Sequence, residues 1–171
     1  MLKNESAFEK LLEQNYGIIR KISNLYGQSP DDKADLSQEI SIQLWHAFSK
    51  YDENQKFSTW MYRIALNVAI THCRKNRTKG NFFTRYDENI HNIPASGGEN
   101  DENRLALLEK FISELKELDK ALMLLYLDKK KHEEIAEILG ISTSNVGTKI
   151  ARIKQSLKQR FENHKGENNG R

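Results

Sequence analysis

Phe8, Leu11, Leu12, Ile18, Ile19, Ile22 and Leu25 recur near helical spacing, which predicts a first amphipathic helix ending around Tyr26 and Gly27. A second helix has a marked start: Ser29 can cap it, Pro30 suits the first helical position, and Asp31 and Asp32 favour its positive end. Leu36, Ile40, Leu44 and Phe48 form its expected buried stripe. The polar run Tyr51 to Lys56 breaks the pattern, and Phe57, Met61, Ile64, Val68 and His72 then mark one face of a third helix. These three helices define a first domain over residues 1–79.

Residues 80–103 hold Gly80, Pro94, the triplet Ser96-Gly97-Gly98 and the polar run Glu99 to Asn103, with little apolar periodicity to bury. A linker is expected there, averaging roughly 25–30 Å between its ends as a flexible coil. Leu105, Leu108, Ile112, Leu115 and Leu118 then predict another helix, and Ala121 to Leu127 a buried one. After the polar stretch Asp128 to Lys131, the segment HEEIAEILGISTSNVGTKIARIKQSLKQRF places Ile135, Ala136 and Leu139 on a short helix and Gly140 at a turn. Val146, Ile150, Ile153 and Leu157 follow on a last helix. That is helix-turn-helix organisation, assigned to a second domain over residues 104–162. The polar remainder, residues 163–171, is expected to be disordered.

Composition supports an all-α protein of two small helical domains. Charged residues make up 30 %, with Gly 9 and Pro 2, a balance that suits helices better than a turn-rich sandwich. The one cysteine, Cys73, excludes an internal disulfide, and no Cys/His spacing resembles a zinc site, so a reducing, cytoplasmic setting is expected. No stretch approaches the ~18 apolar residues of a membrane span, and no membrane insertion is expected.

The formal net charge of +3 says little, but its distribution says more. Residues 1–79 carry 12 basic and 9 acidic groups, residues 80–103 carry 1 and 5, and residues 104–171 carry 14 and 10. No Asp or Glu lies between Glu53 and Asp87, while Lys56, Arg63, Arg74, Lys75, Arg77, Lys79 and Arg85 all do. From Thr143 to Arg160, Lys149, Arg152, Lys154, Lys158 and Arg160 likewise have no acidic neighbours in sequence. Such runs suit phosphate contact, although a charge run is often only a solvated face.

With Val146, Ile150, Ile153 and Leu157 turned inward, the last helix presents Ser144, Asn145, Thr148, Lys149, Arg152 and Gln155 outward, as a recognition helix would in a major groove. On the third helix, Trp60, Arg63, Asn67 and Arg74 fall near one face. A ring, cations and an amide together could hold a separated strand. The pattern equally allows Trp60 to be core, with Arg63 paired to an acid such as Glu39. On the second helix, Asp35, Gln38, Glu39, Ile42 and His46 lie off the buried stripe, a face suited to a protein partner or simply to solvent.

DLSQEISIQLWHAFSKYDENQKFSTWMYRIALNVAITHCRKNR resembles the second region of bacterial sigma-70 factors, and LYLDKKKHEEIAEILGISTSNVGTKIARIKQSL resembles their fourth. The short acidic segment between them points to the extracytoplasmic-function group. The resemblance implies a factor that binds core RNA polymerase and directs initiation from selected promoters, often restrained by an anti-sigma partner, with no cofactor and no catalytic residue. It implies that Asp35, Gln38, Glu39 and Ile42 dock on the clamp helices of the polymerase's largest subunit, and that region 4 reaches the flap. It further implies that the Tyr51 to Lys56 loop, including Tyr51, Asn54 and Lys56, captures a flipped base of the minus-10 element, with Trp60, Arg63, Asn67 and Arg74 beside it. Ser144, Asn145, Gly147, Thr148, Lys149, Ala151, Arg152 and Lys154 would face the minus-35 element.

The chain departs from the family pattern where Lys129 and Lys131 replace the usual Gly and Ser/Thr before the bracing helix, which removes its ordinary N-cap. Gly147 and Ala151 are smaller than the residues frequent at those positions. Two other classes fit less well. A stand-alone helix-turn-helix regulator leaves DLSQE unused. A hydrolase built on Asp31, Asp32, Asp35 and Glu39, or on His132 and Glu133, lacks the second His of a zinc helix, and aspartates gather at helix starts anyway.

Overall fold

The computed structural model describes residues 2–78 and 101–168, with side-chain surroundings over 5–77 and 103–164. Among these residues there are seven helices and no strand: α1 (Leu2–Tyr26), α2 (Pro30–Phe48), α3 (Phe57–Thr78), α4 (Asp101–Ser113), α5 (Glu117–Leu127), α6 (His132–Leu139) and α7 (Thr143–Asn168). The chain divides into two compact units, Met1–Asn89 and Ile90–Arg171. No described helix is long and apolar enough to cross a membrane.

In the first unit each helix packs on the other two. Phe8, Ile19, Ile22 and Tyr26 of α1 and Leu36, Ile40 and Leu44 of α2 are all buried. The start of α2 follows from its sequence: the Ser29 hydroxyl accepts the Asp32 N–H at 3.1 Å, and Pro30 occupies the first turn. Gly27 lets the end of α1 approach that start closely. A Cβ there would stand 2.8 Å from the Ser23 carbonyl oxygen and 2.9 Å from Lys33 Cα.

The buried side of α3 is broader than expected, and rotated. Phe57, Trp60, Met61, Tyr62, Ala65, Leu66 and Ala69 are buried, whereas Ile64, Val68 and His72 are only half-buried. Trp60 therefore belongs to the core side and does not share the outward face with Arg63, Asn67 and Arg74. The cause is a cluster of rings: Trp60 lies 5.1 Å from Tyr51, 5.3 Å from Phe57 and 6.3 Å from Phe48 between centroids, and Phe48 contacts Phe8, which in turn contacts Trp45.

In the second unit α5, α6 and α7 pack on one another and α4 lies against α5 and α7. Ala121, Leu122, Met123, Leu125, Ile135, Ile138, Val146, Ile150, Ile153 and Leu157 form the core. On α4 the buried residues are Leu107, Phe111 and Ile112, while Leu105, expected inside, is 59 % exposed. The first helical turn includes 101–103, which the sequence assigns to the linker; the remainder of that linker, with Arg85, lies outside the described residues, as does Lys79 at the end of the first domain. α7 runs on to Asn168, past residue 163 where a disordered tail is expected.

Two turns of the same kind frame α6. After α5, the Lys130 N–H reaches the Leu125 carbonyl at 3.1 Å and the Lys129 N–H that of Tyr126 at 3.0 Å, with Lys129 left-handed at φ 57°. After α6, the Ile141 N–H reaches the Ala136 carbonyl at 3.2 Å around Gly140 at φ 66°. Glycine fits this conformation without strain; lysine does not. Lys131 precedes α6 with no side-chain cap bond, as its replacement of Ser/Thr implies.

Candidate functional site

The outward face of α2 carries Asp35, Gln38 and Ile42, all exposed, and Glu39, half-buried. Residues three and four apart on a helix share a face, so the four form one patch. It extends to Trp45, 43 % exposed beside Ile42 at 46 %, a residue the sequence reading passed over although it stands three positions after Ile42.

Behind this patch α2 and α3 are tied by a polar cluster. His72 Nε2 lies 2.7 Å from Asp32 Oδ1, and its Nδ1 lies 3.4 Å from Glu39 Oε2. Asn76 Nδ2 donates towards Asp32 Oδ1 at 3.4 Å and sits 3.1 Å from His72 Nε2, while the Gln28 N–H donates to Asp32 Oδ2 at 2.8 Å. Burial alone would raise the Asp32 pKa. The Gln28 N–H, the His72 ring and Asn76 outweigh it and hold the carboxyl below its ordinary 3.8. Glu39 thus faces His72, and not Arg63 as the alternative sequence reading had it.

The loop between α2 and α3 is closed from within. Tyr51 is half-buried, stacked on Phe48 with planes 15° apart, and its hydroxyl donates to the Gln55 carbonyl at 2.6 Å. Burial, and then the Glu53 and Asp52 carboxylates, hold that phenol above its ordinary range, so it stays a neutral donor. Asp52 Oδ1 accepts both the Asn54 N–H, at 2.9 Å, and Asn54 Nδ2, at 2.8 Å. Asn54 and Lys56 are exposed at the loop surface, and Arg63, Asn67 and Arg74 are exposed along α3.

On α7 the Ser142 hydroxyl accepts the Asn145 N–H at 3.1 Å and so caps the helix start. Ser144, Asn145, Thr148, Ala151 and Arg152 are exposed, with the Thr148 hydroxyl bonded back to the Ser144 carbonyl at 3.1 Å. Gly147 and Lys149 are half-buried. Gly147 turns towards α6, where a Cβ would meet His132 Nδ1 at 3.8 Å, so it does not join the outward face expected of it.

The acid-free charge run along α7 is not acid-free in space. Arg160 pairs with Glu114 at 2.8 Å and covers the Phe111 ring, drawing it towards α4. Lys154 is exposed on the flank of α7, its Nζ 3.3 Å from the Tyr126 hydroxyl and 5.3 Å from that ring's centre. The sequence offered no signal for that partner, which lies 28 positions away.

Two family descriptions match the chain: sigma-70 region 2 over residues 9–79 and sigma-70 region 4 over residues 105–157. Similar curated proteins include the ECF RNA polymerase sigma factor SigW of Bacillus subtilis, 29 % identical over 140 residues and 74 % of each chain. The RNA polymerase sigma factor CnrH of Cupriavidus metallidurans is 26 % identical over 166 residues, covering 90 % of this chain and 86 % of its own. Two solved structures share the fold. CnrH in complex with the cytosolic domain of CnrY gives a TM-score of 0.66 at 19 % identity, covering 92 % of this chain and 89 % of that one. The sigma factor RpoE in complex with the anti-sigma factor NepR from Bartonella quintana gives 0.70 at 18 %, covering 91 % and 97 %.

Proposed function

The chain belongs to the sigma-70 family, in its extracytoplasmic-function group, and from that membership we propose how its surfaces share the work of an RNA polymerase sigma factor. It binds core RNA polymerase and directs initiation to promoters. In our reading residues 1–79 supply core docking and minus-10 recognition, residues 80–103 link, and residues 104–162 read the minus-35 element.

Asp35, Gln38, Glu39 and Ile42 dock on the clamp helices, with region 4 engaging the flap. Asn54 and Lys56 of the loop, with Arg63, Asn67 and Arg74 of α3, meet the minus-10 strand. Trp60 and Tyr51 support that surface from beneath. On α7 the exposed Ser144, Asn145, Thr148, Ala151 and Arg152 enter the major groove, and Lys149 and Lys154 on its flanks meet phosphates. The protein acts by binding and positioning, not by catalysis, and works in the cytoplasm, where the polymerase is. The relatives solved with CnrY and NepR support restraint of this chain by an anti-sigma partner.

One observation carries the reading: the α2 carboxylates and the exposed cations of α3 stand on a single three-helix unit, so one body can hold polymerase and DNA together. The test is in vitro transcription with core polymerase on a promoter library, with the initiated transcripts sequenced. Selected start sites that need both proteins are expected, and specific DNA binding without polymerase would favour the stand-alone regulator. Reversing Asp35 and Glu39 to Lys should abolish co-purification with core polymerase while leaving the helical content unchanged.

A further inference from the structure

Where α5 packs on α7, a phenol and an ammonium meet at the surface. Lys154 is exposed, and its Nζ lies 3.3 Å from the hydroxyl of the half-buried Tyr126 and 5.3 Å from the centre of that ring. The ring face holds the cation in place. An ammonium only donates hydrogen bonds, so the Tyr126 oxygen accepts this one and its own O–H hydrogen stays available. Among the described residues neither group has another side-chain partner. Two adjacent donors are thus left without an acceptor, an arrangement that suits an anion with several acceptor oxygens.

The position of the pair on α7 says which anion. Lys154 stands three residues after Ala151 and seven after Gly147, so the three share one edge of the helix, the edge turned towards α5 and α6. That edge borders the exposed row of Ser144, Thr148 and Ala151. Ala151 ends at its Cβ and Gly147 has none, so neither holds a strand away from the pair. Tyr126 also leads into the turn that carries Lys129 and Lys131, both exposed, which outnumber its one acid, Asp128. A helix lying in a major groove meets the backbone phosphates along its edges.

We propose that Tyr126 and Lys154 together bind one phosphate of the DNA backbone at the edge of the groove that α7 enters, the hydroxyl and the ammonium each donating to it. Tyr126 stands on α5, outside the helix-turn-helix formed by α6 and α7, and still touches DNA. The inference deepens the reading of α7 as the minus-35 recognition helix and rests on it.

The experiment uses the full chain with core polymerase and the duplex that the parent selects from a randomised minus-35 library. A series of copies of that duplex each carries one neutral methylphosphonate linkage. In the parent, neutralising one particular linkage at the groove edge is expected to weaken binding about tenfold, as loss of a charged hydrogen bond does. Tyr126→Phe keeps the ring and its contact with Lys154 and removes only the hydroxyl. It should bind the unmodified duplex about tenfold more weakly, with base preference and salt dependence unchanged, and should lose little more at that same linkage. Lys154→Ala should also become indifferent to that linkage, and its salt slope should fall by about one. A Tyr126 that serves packing alone would leave the hydroxyl without effect on DNA. Binding by Tyr126→Phe within about twofold of the parent, a change in its base preference, or sensitivity of the two variants to different linkages overturns the inference alone. Failure of the parent to select any minus-35 sequence overturns the recognition-helix reading and the inference with it.

Discussion

Lys129 occupies a turn that glycine would fill without strain, and replacing it tests how much the bracing helix depends on that turn. At φ 57° an L residue bears a cost of roughly 1–2 kcal/mol, whereas glycine loses roughly 0.5–1 kcal/mol more entropy on folding. Lys129→Gly should therefore stabilise the α5–α6 connection by about 0.5–1 kcal/mol. Gly140→Ala is the mirror experiment at φ 66°. Nothing stands within 4 Å of the added Cβ, so its cost, about 1 kcal/mol, comes from the backbone alone. Restoring a cap with Lys131→Ser should add about 1 kcal/mol to the same helix. The assay is native-state amide hydrogen exchange, because it reads each helix separately. A gain of about 1 kcal/mol slows exchange about fivefold at Ile135 and Ile138, while the amides of α1 to α3 keep their rates. Unchanged or faster exchange in Lys129→Gly would refute the argument that the left-handed lysine is strained.

Trp60→Ala should cost about 3–5 kcal/mol in the first unit, as loss of a buried ring does, whereas Asn67→Ala, on the exposed face, should stay within about 0.5 kcal/mol in thermal melts yet weaken permanganate reactivity of the melted promoter strand. Arg152→Ala should relax base preference at one minus-35 position, and Lys154→Ala should weaken all sequences alike and flatten the salt dependence. Competition against a randomised minus-35 library at two salt concentrations separates them. Because the Asp32 pKa is lowered on folding, its contribution to stability is present above 3.8 and lost as pH falls through the folded value. Asp32→Asn should accordingly be less stable than the parent at neutral pH, and the gap should close on acidification when urea unfolding of the first unit is followed by fluorescence of Trp45 and Trp60.

What could be read in the sequence was local. Ser29, Pro30 and Asp32 mark the start of α2 because a cap acts within three residues, and Gly140 marks the turn after α6 because left-handed backbone selects it. Lys129 shows the limit of the same logic: its unusual chemistry was visible, but its φ was not. The face of α3 was misplaced because a single line of large apolar residues omits Ala65 and Ala69, whose small side chains are buried on the core side of the helix. Trp60 was ambiguous in sequence because an indole serves a core or a strand equally well; only its distances to Tyr51, Phe57 and Phe48 decide. The pairs that cross between helices, His72 with Asp32 and Glu39, Arg160 with Glu114 and Lys154 with Tyr126, join residues 28 to 46 positions apart. No periodicity encodes such pairs.

The mutual packing of α1, α2 and α3 through short connections also bears on how the chain is made. Among the described residues of that unit every buried one lies before position 70, and a small helical bundle of this kind folds in microseconds to milliseconds. A ribosome adding roughly 5–20 residues per second needs roughly 3–14 s to translate from Asp101 to Asn168. The surface with Asp35 and Glu39 is therefore complete on the nascent chain, once clear of the exit tunnel, seconds before the recognition helix exists.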